Sequence, residues 1–168
     1  MTTREMLLCI AAYAVVLAIA IYFTRAGPRR VVGALAGGAA AGALAMAMIA
    51  LGESRGWWQI PWATTPYFKV MLYVGLAFTM SPVYLATWRI ARRFGWRGLA
   101  VSLAAAAVIG PPRDYLYATL FPKWMVFSPD IAPALWDAAT YVGMVAAGHA
   151  AMRLVAGPAG EDRLVRQP

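Results

Sequence analysis

The sequence predicts an all-α integral membrane protein, a bundle of five transmembrane helices with the N-terminus outside and the C-terminus inside. Three observations predict it. Of 168 residues, 62% are hydrophobic and 13% charged, against about 45–50% and about 25% in soluble domains. The apolar residues fall into five long runs, approximately 6–24, 31–51, 67–88, 98–121 and 131–152, most of them long enough to cross a bilayer. The basic residues cluster where these runs end: Arg25, Arg29 and Arg30 after the first, Arg89, Arg92, Arg93 and Arg97 after the third, Arg153, Arg163 and Arg166 after the last. That is the positive-inside pattern of a multi-pass protein. A soluble domain would have to hide several such runs at once, with too few charges to cover its surface. The formal net charge of +8 therefore reads as topology rather than as a face for phosphates, and nucleic acid is excluded as a partner.

Taken in order, run 6–24 has Arg4 and Glu5 before it and three arginines after it. A cleavable signal carries its positive charge ahead of the apolar core, so this run is expected to stay as a helix. Cys9 is the only cysteine, which excludes an intramolecular disulfide and a cysteine-based zinc site; it reads as a small hydrophobe. Run 31–51 carries Gly33-xxx-Gly37 and Gly38-xxx-Gly42, spacings that clear a helix face for a neighbour. Glu53, Arg55, Trp57, Trp58 and Trp62 follow in an outer loop, where indoles suit the headgroup level. Run 67–88 places Lys69 near its outer end and Pro82, expected to kink the helix, toward its inner end. The basic stretch 89–98 reads as a short cytoplasmic connection that attracts anionic headgroups, with Trp88 and Trp96 at the interface.

Run 98–121 is purely apolar only as far as Gly110, too short to cross alone. The helix is therefore expected to continue, kinked or broken at Pro111-Pro112, with Arg113 and Asp114 in the outer half of the membrane. A break there would offer the free N–H groups of a new helix beside Arg113. Lys123, Trp124 and Phe127 form a second outer loop, and run 131–152 carries Asp137 about two turns from its outer end and His149 near the inside. Residues 1–156 make one transmembrane domain, and 157–168 a disordered cytoplasmic tail.

Glu53, Lys69, Arg113, Asp114 and Asp137 come from four segments but fall at one outer level. A charge at the centre of a bilayer costs about 2.5–3.5 kcal/mol on insertion scales, so these groups must serve a function or neutralise each other. Adjacent helical positions point about 100° apart. The expected pairs are accordingly Arg113 with Asp137 or Glu53, and Asp114 with Lys69. Asp114 and Asp137 are candidate acid and base groups; Arg113, Lys69, Glu53, Tyr115, Tyr117 and Tyr141 are candidate substrate-binding groups. His149, the only histidine, makes neither a metal site nor a haem site by itself, so no metal is expected, and no cofactor is identified. The expected place for His149 is an interhelical hydrogen bond. The chain has no GxSxG, HExxH, P-loop or Rossmann fingerprint, which leaves catalysis open.

The function these residues suggest is that of a polytopic inner-membrane protein. Its outward-facing polar pocket binds or processes an anionic lipid or other amphiphile, in a groove between the third, fourth and fifth spans. Membrane lipids are the expected partners. The alternatives are a non-catalytic subunit of a larger membrane complex, docked through its Gly and Ala faces, and a small proton-coupled transporter that oligomerises with itself. Thirteen arginines against two lysines suggest a high-GC bacterium.

Overall fold

A computed structural model describes residues 3–60, 66–122 and 125–158. The expectations on Trp62, Lys123, Trp124 and tail residues 159–168, Arg163 and Arg166 among them, lie outside the described residues. The chain is all-helical apart from one small ribbon. α1 spans Thr3–Thr24, α2 Pro28–Ser54, α3 Pro66–Leu120 and α4 Ile131–Ala156. Three stretches, Leu7–Thr24, Pro28–Ser54 and Phe68–Leu120, are long and apolar enough to cross a membrane, which supports a membrane-protein reading.

α1, α2 and α4 contain runs 6–24, 31–51 and 131–152. α3 differs from expectation, because it merges runs 67–88 and 98–121 through the basic stretch meant to connect them. Arginine and alanine are good helix formers, so helical turns run up to Gly95 from both sides and two helical arms meet there at a kink. Only Gly95, at φ 62° and ψ −146°, leaves helical geometry, a conformation that glycine adopts without the Cβ clash. At 55 residues a straight α3 would be about 83 Å long. Instead it doubles back at Gly95, and residues from both arms, Leu72 and Tyr117 among them, line one cavity.

Of the kink or break expected at Pro111-Pro112 the break is absent, and Pro82 does not break the helix either. All three lie inside α3, and none has non-helical dihedrals. Proline removes an N–H donor, but its fixed φ near −65° is itself helical.

α2, α3 and α4 pack on one another, and α1 packs chiefly on α3. The glycine spacing on α2 works as the sequence suggests, with each motif serving a different neighbour. A Cβ at Gly33 would meet Met152 and Ala156 of α4, whereas one at Gly38 would sit 2.2 Å from the Ala77 carbonyl oxygen of α3. Around these contacts lies the core of Ala34, Ala41, Met80, Tyr84, Val145 and Met152. Tyr84 donates to the Met144 carbonyl at 2.8 Å. Thr87 Oγ1 and His149 Nδ1 share a hydrogen bond at 3.4 Å, which gives His149 its expected interhelical partner. Among the described side chains of α1 only Leu17 is buried, while Leu7, Leu8, Val15, Val16 and Ile19 are exposed, as on a helix surrounded by lipid.

α2 ends in a Schellman turn, with Gly56 at φ 70° donating to the Glu53 carbonyl and Trp57 donating to that of Gly52. The chain then enters β1, Trp58–Gln59, which pairs antiparallel with β2, Val126–Phe127, in the register Trp58 to Phe127. Ser128 N–H adds a bond to the Trp57 carbonyl at 2.8 Å. The described parts of the two predicted outer loops are therefore one joined cap, and Trp57 and Trp58 pack inward. Trp58 is buried and donates Nε1–H to the Ile49 carbonyl at 3.1 Å. Trp57 lies 5.2 Å from Trp136 between ring centres.

Candidate functional site

Beneath this cap lies a cavity of about 480 Å³. Its walls come from α1 (Cys9, Ile10, Tyr13), α2 (Ala45, Ile49), both arms of α3 and the first half of α4. The groove expected between the last three predicted spans is thus wider than predicted, since α1 and α2 close one side. The walls are mostly apolar and aromatic, and among the described residues the charged ones that line them are Arg113, Asp114 and Asp137.

Arg113 and Asp114 bind each other, contrary to expectation. The Arg113 guanidinium donates Nε–H and Nη2–H to Asp114 Oδ1 at 3.0 and 2.8 Å. Tyr141 closes a ring of three: Arg113 Nη2 donates to its hydroxyl, which donates to Asp114 Oδ2 at 2.8 Å. The 100° separation describes where the two Cβ atoms point, but a long arginine side chain can swing back when a third group collects both charges. Tyr141 of α4 is that group. The Arg113 and Asp114 side chains remain 43% and 23% exposed, so this bidentate clasp sits at the cavity wall rather than in the core.

Gly110 holds the tyrosine in place. It lies three and four residues before the pair, hence on the same helix face one turn away. A Cβ there would stand 2.1 Å from Tyr141 Cδ2 and 2.4 Å from Cγ. Only a residue without a side chain lets the ring lie flat on α3 with its hydroxyl between the two charges. A glycine one turn below an intramembrane charge pair was the available signal, masked by the two prolines beside it.

Asp137 is brought into the same cavity but not into the ring. It is 7% exposed, and its Oδ2 is buried without a hydrogen-bond partner among the described residues. Tyr115 is within electrostatic reach of it. The Tyr115 ring stacks on Phe127 of β2 with centres 4.2 Å apart, and its hydroxyl is likewise buried and unpartnered. Tyr117 lines the cavity, with the Arg113 guanidinium 5.9 Å from its ring centre.

The remaining candidates lie elsewhere. Lys69 is exposed and does not line the cavity, so it does not meet Asp114. Glu53 is exposed and accepts the Ile60 backbone N–H at 3.3 Å; it fastens the loop after α2 rather than binding Arg113. Both pairings failed because exposed ends of long helices reach water or loop backbone more cheaply than a buried partner. Sequence reasoning missed Tyr13, which joins Trp58 and Phe68 of the predicted interface aromatics in the cavity wall. Among the described residues no group of three or more His, Cys, Asp or Glu could hold a metal ion. No protein-family model matches the chain, and no curated protein and no solved structure is significantly similar to it.

Proposed function

We propose that this is a multi-pass inner-membrane protein whose cavity binds an amphiphile, chain against the apolar walls and polar head toward Arg113, Asp114, Asp137 and Tyr141. One observation carries this reading: a cavity of about 480 Å³ with apolar walls and a single convergent polar patch, the usual makeup of a small-molecule site. The Arg113 charge is engaged by Asp114 and Tyr141, so it gives little support to an anionic head, and the reading kept is the broader one. In this proposal the two arms of α3 cross the membrane separately, making five crossings. The arginine-rich bend around Gly95 faces the cytoplasm, and the cavity opens toward the outer face, as charge bias directs.

The test is saturable binding to the full chain in phosphatidylcholine nanodiscs, with empty discs as the blank. The probes are tritiated dodecanol, dodecanoate and dodecylamine. At least one should bind, and Gly75→Leu should weaken it by about tenfold or more. Gly75 lines the cavity, and a Cβ there meets only Ile10 at an ordinary 3.8 Å, so a larger side chain fills the void without disturbing the core. If none of the three probes binds saturably, the proposal fails. Periplasmic labelling of a cysteine placed beside Gly95 would overturn the orientation.

A further inference from the structure

Resting on the amphiphile reading, we infer that the head group this cavity selects is a protonated amine, held by Asp137 and surrounded by aromatic faces. Three observations lead there independently. First, the charge of the arginine is already engaged. Arg113 gives Nε–H and Nη2–H to Asp114 and meets the Tyr141 hydroxyl. Second, among the described residues the ionisable groups are unequal in number: one cation, Arg113, stands against two carboxylic acids, Asp114 and Asp137, on the same cavity wall. Asp137 is more than nine-tenths buried and its Oδ2 lacks a partner among the described residues. An ionised carboxylate in that setting is strongly disfavoured until a cation or a set of donors reaches it. A bound ammonium would supply both the charge and up to three N–H donors.

Third, the walls suit a cation with an alkyl chain. Tyr13, Trp58, Phe68, Tyr117, Phe121 and Tyr141 all line the cavity, and electron-rich ring faces attract an ammonium, most strongly where water is excluded. The chain's own cations already use such faces. Arg113 lies 5.2 Å from the Tyr141 ring centre and 5.9 Å from that of Tyr117. Among the described residues no group of three or more His, Cys, Asp or Glu is gathered at Asp137, which does not suit a divalent metal, since that takes several oxygen ligands at once. The site does suit one monovalent organic cation.

The experiment is competition at the same cavity. Tritiated dodecylamine is bound to the full chain in phosphatidylcholine nanodiscs and displaced with unlabelled dodecylamine, dodecanol, dodecanoate or butylamine. The expected order has dodecylamine at least about tenfold tighter than dodecanol and dodecanoate, with butylamine weak because it lacks the chain. Asp137→Asn should reduce dodecylamine binding by about tenfold and dodecanol binding by less than about threefold. Dodecanol or dodecanoate displacing the label as well as the amine does would overturn the ammonium assignment and leave the amphiphile reading intact. Full amine affinity in Asp137→Asn would overturn it too. The wild-type competition order decides even if the Asp137 variant does not fold. Absence of saturable binding for every dodecyl probe would instead defeat the amphiphile reading itself.

Discussion

At one end of the bundle arginine meets arginine, and at the other it meets aspartate. Around the Gly95 bend, Arg30 and Arg92 lie 4.6 and 5.8 Å from the ring centre of the same indole, Trp88. Two further arginines close helix ends. Arg89 donates to the Phe23 carbonyl at the end of α1 at 3.4 Å, and Arg29 to the Val155 carbonyl at the end of α4 at 2.9 Å. These cations serve the negative ends of helix dipoles. At the cavity end the single guanidinium of Arg113 is fixed by an acid and a phenol delivered from another helix. The lesson is that charge near a helix end can be settled by backbone, ring faces and water, whereas charge along the shared wall of several helices has to be settled by specific side chains. The arginine end should therefore tolerate substitution that the cavity end does not.

The strongest way to break this contrast is Gly110→Ala. The added Cβ collides with the Tyr141 ring, and the expected loss is about 3 kcal/mol, the upper end of overpacking costs. A thermal melt in nanodiscs would read it, and an unchanged melting temperature would show that the clasp does not depend on Gly110. Arg113→Met should come next, with a loss of about 2 kcal/mol because Asp114 keeps its charge but loses its cation; adding Asp114→Leu to that variant should recover part of the loss. Tyr141→Phe removes only the bridging hydroxyl, for a loss of about 1 kcal/mol. Arg89→Gln, at the other end, exchanges one exposed donor for another and should stay within about 0.5 kcal/mol. A loss from Arg89→Gln comparable to that from Arg113→Met would erase the distinction between the two ends.

Much of this protein can be read along the chain. The helical runs, the packing role of Gly33 and Gly38, an interhelical hydrogen bond for His149 and the presence of Arg113, Asp114, Asp137 and Tyr141 near one level all follow from periodicity and spacing, because helix rise and face are local properties. Pairing was not legible. Arg113 and Asp114 were kept apart by their helical angle, and Tyr141, only one of several interface tyrosines in the sequence, turned out to join them. Glu53 and Lys69 share the level of the site but not its cavity, since depth in a bundle does not specify which way a side chain faces. The prolines suggested a kink or a break, yet the departure from helical dihedrals is at Gly95, whose positive φ suits glycine.

That this chain is a set of long apolar helices with cations gathered at their ends follows from composition and helical period, which are enough to decide which solvent a segment suits. Folding adds that α1 and α2 close the cavity, that a two-strand cap covers it, and that Asp137 keeps an oxygen without a partner among the described residues. Those features depend on which helix faces meet across distant parts of the chain. That choice is made by packing, where a single missing Cβ at Gly110 admits one aromatic ring and so selects the partner of two charges.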